Sequence, residues 1–127
     1  MKRFVKGRLK SVKYVFKGMF KLLSSEHAII SQCIIGTSFL ILGLYFNITR
    51  IEWMFLFFSI GLVLTVESLN TAIELTCNFI HPAHHKKIGL IKDIAAGAVG
   101  FAAIFALINA ILIFYPYITK FYIEIQC

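Results

Sequence analysis

The sequence predicts an all-α membrane protein in which one amphipathic surface helix precedes three transmembrane helices. Three observations support this prediction. The mean hydropathy of the 127 residues is +0.83, the apolar residues come in long blocks, and the basic residues are concentrated before position 22. Because about 20 apolar residues in a helix cross the hydrocarbon of a bilayer, each block is long enough to span it. A chain of this length is expected to form a single domain, residues 1–127.

Residues 3–24 are predicted to form the surface helix, because two parallel stripes run along them. Apolar residues recur at helical spacing, and lysines follow one position later. The apolar stripe consists of Val5, Leu9, Val12, Phe16, Met19, Phe20 and Leu23, and the basic stripe of Lys6, Lys10, Lys13, Lys17 and Lys21. Such a helix lies on the membrane, where lysine stems reach anionic headgroups. We expect no nucleic-acid partner, since the stripes are typical of a lipid-facing helix rather than of a recognition fold.

Three apolar blocks are predicted to be the transmembrane helices, residues 28–46, 53–79 and 94–117. Trp53 is placed at an interfacial depth at the start of the second helix. Pro82 marks the end of that helix, because the residue before a proline disfavours helical geometry. We expect Ser24 or Ser25 to cap the first transmembrane helix, with Glu26 in its first turn, where a carboxylate suits the helix dipole.

The basic residues predict how these helices are oriented, since Lys and Arg are retained on the cytoplasmic side of a membrane. The surface helix and the loop region with Lys86, Lys87 and Lys92 therefore face the cytoplasm, whereas Arg50 and Lys120 lie outside. The amino terminus is expected to be cytoplasmic in a protein that crosses the membrane three times.

The second transmembrane helix carries acidic and amide side chains that a membrane helix normally avoids. These residues follow one face at helical spacing. They are Glu67, Asn70, Glu74 and Asn78, and we call them the polar row. Because a charge inside a bilayer costs at least about 2.5–3.5 kcal/mol, such residues normally face protein, an ion or water. The predicted orientation brings Glu26 and Asp93 to the same end of the bundle as the polar row.

This set of side chains is suited to phosphoryl transfer onto a lipid alcohol. Proteins hold Mg²⁺ with one or two carboxylates and the phosphates of a substrate, and Glu26 and Glu74 are the pair nearest the water. Lys92 offers a point charge for a phosphate. The deeper Glu67 reaches the hydroxyl of a lipid whose tail stays in the bilayer. Catalysis of this kind is mainly positioning and charge neutralisation. The usual Gly-rich nucleotide loops are missing from the sequence.

Two other functions fit part of the same pattern. In a small oligomeric cation channel or transporter, Glu67 and Glu74 would form an acidic ring, but Lys92 and Asp93 would then have no role. A non-catalytic membrane adaptor would use the basic helix and leave the polar row unexplained. Single residues also have structural interpretations: Glu26 as a partner of the helix dipole, and Lys92 with Asp93 as a junction between loop and helix.

Histidines and cysteines are not expected to bind a metal by themselves. His81, His84 and His85 lie beside lysines in a polar loop, which is typical of solvated histidines. The cysteines, Cys33, Cys77 and Cys127, lack the spacing of metal ligands and are predicted to be free thiols.

Two stretches carry a family resemblance. Residues 67–74 read ESLNTAIE and residues 92–99 read KDIAAGAV. Together they closely resemble the small prokaryotic diacylglycerol kinase and undecaprenol kinase family, and the resemblance extends over nearly the whole chain from about Arg8 onward. It implies a bacterial inner-membrane enzyme with three transmembrane helices, a homotrimer with active sites at subunit boundaries. The enzyme would transfer the γ-phosphate of ATP, with Mg²⁺, to the hydroxyl of diacylglycerol or undecaprenol.

The resemblance also implies roles for individual residues. Glu67 would be the catalytic base, and Glu26 and Glu74 would hold the metal with ATP. Asn70, Lys92 and Asp93 would line the nucleotide site. Tyr14, His84 and His85 would contact the nucleotide, and Arg8 would contact the lipid substrate. The chain departs from the family pattern at three positions. Asn78 stands where relatives commonly carry Asp, and Ile30 and Gln32 stand where many carry Arg and His.

Overall fold

The computed structural model describes residues 2–126 and, among them, the side chains of residues 7, 8 and 10–126. Within residues 2–126 the fold consists of helices without strands: α1 (Lys2–Ser25), α2 (His27–Phe46), α3 (Arg50–Ile80) and α4 (Lys86–Gln126). The side chains of Val5, Lys6 and Leu9, and the thiol predicted for Cys127, lie outside this description. The last three helices are long and apolar enough to cross a membrane. The predicted fold class is confirmed.

Helix α1 packs against α2 and carries its apolar stripe on the surface of the chain. Phe16 and Phe20 are 66% and 74% exposed. An apolar stripe with this exposure needs a cover from outside the chain, as a helix on a membrane surface has. The position of α1 on the membrane remains a prediction.

The junction between α1 and α2 corrects one expectation. Neither Ser24 nor Ser25 caps α2; both hydroxyls donate to the Lys21 carbonyl, at 3.1 and 2.8 Å. Glu26 lies outside the first turn, because it is itself the N-cap residue, with an extended backbone (φ −104°, ψ 107°) and no capping bond from its side chain. The reason is that the last carbonyls of α1 lack helical partners and attract the nearby hydroxyls.

The turn between α2 and α3 is fixed by capping interactions at both sides. Asn47 adopts the left-handed conformation (φ 53°), and its N–H is donated back to the end of α2. Thr49 and Glu52 form a capping box, in which the Thr49 N–H donates to the Glu52 carboxylate at 2.7 Å. Helix α3 therefore begins at Arg50, slightly before the predicted span.

Close packing surrounds this turn. A buried cluster of Ile48, Leu56, Ala110, Ile113 and Phe114 forms the core there. Gly43 permits the approach of Trp53, because a Cβ at Gly43 would lie 3.0 Å from the indole ring. We call this region, residues 43–57 and 110–121, the turn end of the protein. The opposite region, residues 24–29, 67–81 and 85–102, is the site end.

Helix α4 extends beyond the predicted span at both ends, since it is helical from Lys86 and through Pro116 to Gln126. The predicted span ended at residue 117, and a proline inside a helix removes one backbone donor. Instead the helix continues, and the Thr119 hydroxyl donates to the carbonyls of Tyr115 and Pro116, both at 3.0 Å. The limits of the membrane-embedded part, residues 94–117, remain a prediction.

Helices α3 and α4 are antiparallel, and three hydrogen bonds show their register. The pairs are Tyr117 Oη to the Glu52 carboxylate (2.7 Å), Asn109 Nδ2 to Ser59 Oγ (2.8 Å) and Lys92 Nζ to Asn78 Oδ1 (2.7 Å). Each step along α3 is matched by one step back along α4, so Glu67 is level with Ala102 and Glu74 with Ala95. This register positions the site.

Candidate active site

The polar row on α3 runs from buried to exposed. Glu67 and Asn70 are each only 8% exposed, whereas Glu74 and Asn78 are exposed. The Asn70 amide donates to Glu74 Oε1 at 3.2 Å and so orients that carboxylate. The row thus leads from a buried carboxylate to an exposed one along a single helix face.

Small residues on α4 make the burial of this row feasible. Ala95 and Ala102 are buried and lie two helical turns apart, level with Glu74 and Glu67. Alanines allow two helices to approach closely, so that α4 buries the polar side chains of α3. Because alanine is small, it leaves space beside these side chains.

Asn70 has a buried oxygen without a hydrogen-bond donor among the described residues. Its Oδ1 has no hydrogen-bond partner among the described residues, although Nδ2 is satisfied by Glu74. A buried acceptor without a donor costs about 1–3 kcal/mol, and a native protein rarely keeps one without a reason. A ligand that supplies a donor at this point would remove that cost.

Glu26 is brought to the same level as the polar row by the packing of α2 on α3. Gly36 lies against Ile60, and Gly43 against Trp53, which sets the register of these antiparallel helices. Following that register back along α2 places Glu26 level with Asn70. Its side chain is half-buried and accepts a weak hydrogen bond of 3.4 Å from the Ser25 hydroxyl.

The donor set at the site end suits a metal ion shared with phosphates rather than a metal held by protein alone. Across residues 2–126, no three His, Cys, Asp or Glu side chains are grouped so that they could hold an ion. Two carboxylates, Glu26 and Glu74, lie at neighbouring levels. Mg²⁺ is commonly bound by one or two carboxylates and completed by substrate phosphates and water.

Lys92 joins the site from α4. Its ammonium donates to Asn78 Oδ1 at 2.7 Å, and the side chain is half-buried. Asp93 follows it and is exposed. Both residues belong to the second turn of α4, not to the loop expected before residue 94. The polar row and Lys92 are therefore connected directly.

Four other candidates are exposed residues outside α3. Tyr14 is 67% exposed on α1, and Arg8 is also exposed on that helix. His84 and His85 are exposed in the α3–α4 loop, where His85 Nδ1 accepts from the Lys87 N–H at 3.2 Å. In the described part of the chain, no hydrogen bond joins Tyr14 or either histidine to the row.

An apolar groove that was not predicted from the sequence lies between α2, α3 and α4. Its volume is about 280 Å³, and Val63 and Leu64 at its upper edge lie one turn below Glu67. Polar groups on its wall are few, among them Gln32 and Ser59. The sequence signal was present in small residues at matching levels of two helices, namely Gly36, Ala103, Ala106 and Ala110.

Comparison with known proteins gives a consistent result. The family model described as prokaryotic diacylglycerol kinase matches residues 13–114. The undecaprenol kinase of Bacillus subtilis is 36% identical over 107 residues, which cover 84% of this chain and 87% of that protein. The diacylglycerol kinase of Escherichia coli K12 is 29% identical over 101 residues, covering 80% and 83%. That of Haemophilus influenzae is 28% identical over 91 residues, covering 72% and 77%. The chain therefore belongs to the prokaryotic diacylglycerol kinase family.

Proposed function

We propose that this protein is a membrane lipid kinase that transfers the γ-phosphoryl group of ATP, with Mg²⁺, to the hydroxyl of a lipid alcohol. The observation that carries the proposal is the polar row, in which buried Glu67 and Asn70 lead to exposed Glu74 on a membrane-spanning helix. Membership of a kinase family gives the row a chemical purpose. It does not favour the alternative, a cation channel or transporter with an acidic ring.

Glu67 is proposed as the catalytic base. It is buried, and within residues 2–126 its carboxylate accepts no hydrogen bond, so both oxygens remain available to a substrate. A base must come within hydrogen-bond reach of the proton that it removes. A lipid whose tail occupied the groove would place its hydroxyl about one helical turn from this carboxylate.

Glu26 and Glu74 are proposed to hold the magnesium ion together with the phosphates of ATP. When bound, Mg²⁺ neutralises phosphate charge during the transfer. Asn70 orients Glu74 through the 3.2 Å hydrogen bond. Its Oδ1 has no hydrogen-bond partner among the described residues and is therefore available to a ligand. The fit rests on the donor set, since two carboxylates with few other ligands are typical of a nucleotide-bound magnesium site.

Lys92 and Asp93 are proposed to line the nucleotide site at its outer end. The Lys92 ammonium is suited to a phosphate oxygen as a point charge. Tyr14, His84 and His85 are proposed as further nucleotide contacts and Arg8 as a lipid contact; the family resemblance supports these four.

The acceptor is proposed to be diacylglycerol or undecaprenol. Both present one hydroxyl at the membrane interface and bury an apolar tail. The groove starts one turn below Glu67 and is lined mainly by apolar side chains of three helices. An apolar tail placed there leaves the hydroxyl beside the proposed base.

A homotrimer with a cytoplasmic amino terminus is proposed as the working form. Large apolar side chains remain exposed along all three spanning helices, for example Phe58 on α3 and Phe101 on α4. Among the described residues of a single chain, Tyr14 has no hydrogen bond to the polar row. A neighbouring copy would bring a second α1 helix to the site.

The proposal is tested by phosphate transfer in mixed micelles. Purified protein, ATP labelled on the γ-phosphate and Mg²⁺ are incubated with diacylglycerol or undecaprenol, and labelled lipid is counted. We expect label in at least one lipid and its loss when Mg²⁺ is chelated. Magnesium added back in excess should restore the transfer. Absence of labelled lipid with both alcohols, from protein that elutes as a folded species, would contradict the proposal.

A further inference from the structure

We infer that Asn78 is a positioning residue for Lys92, and that its lack of charge keeps the positive charge of Lys92 available to a nucleotide phosphate. The inference rests on the proposed function and deepens it at the outer end of the site. It concerns a residue that contacts neither the proposed base nor the proposed metal ligands by a hydrogen bond among residues 2–126.

Asn78 lies in the last turn of α3, and Lys92 lies in the second turn of α4. Their 2.7 Å hydrogen bond connects the two helices across the α3–α4 loop. Asn78 is one turn beyond Glu74, a rise of about 6 Å along the helix axis. The bond therefore holds an ammonium group one turn outside the exposed carboxylate of the polar row.

An amide oxygen fixes an ammonium without cancelling its charge, whereas a carboxylate at the same point would form an ion pair and compete with a phosphate. In the described part of the chain, Lys92 forms no ion pair. Lys120, at the other end of α4, is paired with Glu124 at 4.0 Å. One lysine of this helix is thus held by a neutral group and another by a charged one.

The decisive variant is Asn78→Asp, which keeps the size and an acceptor oxygen but adds a negative charge. We expect MgATP to bind about three- to tenfold more weakly, measured by equilibrium titration in micelles without lipid acceptor. The KM for MgATP should rise by a similar factor with kcat little changed. Asn47→Asp is the matched control, because it makes the same change at the turn end, where Asp also tolerates a left-handed backbone.

Asn78→Ala separates position from charge. It removes the acceptor without adding a charge, so the fixed geometry of Lys92 is lost while the charge stays free. We expect a smaller loss of MgATP affinity than for Asn78→Asp, with a fall in kcat. Equal losses for the two variants would overturn the inference, because charge would then have no part. Unchanged affinity in Asn78→Asp would overturn it as well.

A double-mutant cycle excludes direct repulsion between Asp at position 78 and the phosphates. In a Lys92→Met background, Asn78→Asp should weaken MgATP binding no further, because its effect acts through Lys92. A further loss in that background would show direct repulsion and contradict the inference.

If the unaltered protein neither bound MgATP nor labelled a lipid, the proposed function itself would fail. If the unaltered protein bound MgATP and labelled a lipid, and Asn78→Asp bound MgATP equally well, only this inference would be overturned.

Discussion

The turn end and the site end of the protein use polar side chains in opposite ways. At the turn end, the Glu52 carboxylate accepts from the Thr49 N–H at 2.7 Å, the Thr49 hydroxyl at 2.8 Å and the Tyr117 hydroxyl at 2.7 Å. At the site end, the buried Glu67 accepts no hydrogen bond among residues 2–126, and Asn70 Oδ1 has no partner. Both ends are built on the same pair of helices.

The difference shows where stability and function are located. A carboxylate that accepts three hydrogen bonds stabilises the fold, because it connects a turn, the start of a helix and a neighbouring helix. A buried carboxylate or amide oxygen that accepts no hydrogen bond is a candidate ligand-binding group. Such a group lowers the stability of the free protein, and a ligand that donates a hydrogen bond to it removes this cost. Changes at the turn end should therefore affect mainly stability, and changes at the site end mainly activity.

The largest expected effect is that of Glu67→Gln on activity. Removal of a general base typically lowers a rate about 10²- to 10⁴-fold. Gln has nearly the same shape, so resistance to unfolding, measured by SDS titration in mixed micelles, should not fall. The exposed Glu124→Gln is the control and should transfer phosphate normally. A Glu67→Gln protein with normal turnover would remove Glu67 from the role of base.

Asn70→Leu should separate activity from stability in a single variant. Leu has a similar volume and removes both the open Oδ1 and the bond that orients Glu74. We expect about a hundredfold loss of phosphate transfer, since misplaced groups lower catalysis on that scale. Stability should be unchanged or higher by about 1 kcal/mol, because a buried unmet acceptor disappears. A marked loss of stability would show that Asn70 is a structural residue and would break the comparison.

Glu52→Ala is the counterpart at the turn end. It removes three hydrogen bonds and the capping box, so we expect a loss of about 2–3 kcal/mol in the free energy of unfolding. Lipid phosphorylation per folded molecule should stay near normal. Tyr117→Phe removes only one of the three bonds and should give about a third of the loss. If Glu52→Ala lowered specific activity as strongly as Glu67→Gln, the two ends would not be separable.

Much of this division could be predicted from the sequence, because it depends on helical periodicity. The polar row, and the greater depth of Glu67 compared with Glu74, follow from spacing along one apolar helix. The number of helices and three membrane-spanning candidates follow from apolar blocks. These features need no knowledge of how the helices are rotated against one another.

Features that depend on contacts between helices could not be predicted. Helix α4 starts at Lys86, so Lys92 is fixed in a helical turn and reaches Asn78, which no local pattern in the sequence indicates. The groove depends on which faces of three helices meet. The full length of α4 was not predicted, because the apolar block ends at residue 117 whereas the helix continues past Pro116 to Gln126.

The smallest expected effect sharpens the comparison at the level of packing. At the turn end, a Cβ on Gly43 would lie 3.0 Å from both Trp53 and Ile48, so Gly43→Ala forces the indole or its neighbours to move. We expect a loss of about 1–2 kcal/mol in the free energy of unfolding, in the range found for overpacked cores. SDS titration measures it, with phosphate transfer per folded molecule unchanged. Gly61→Ala is the matched control, because a Cβ there meets no atom within 4 Å and Ala favours a helix. Equal stability of the two variants would mean that the contact of Trp53 with Gly43 does not hold the turn end together.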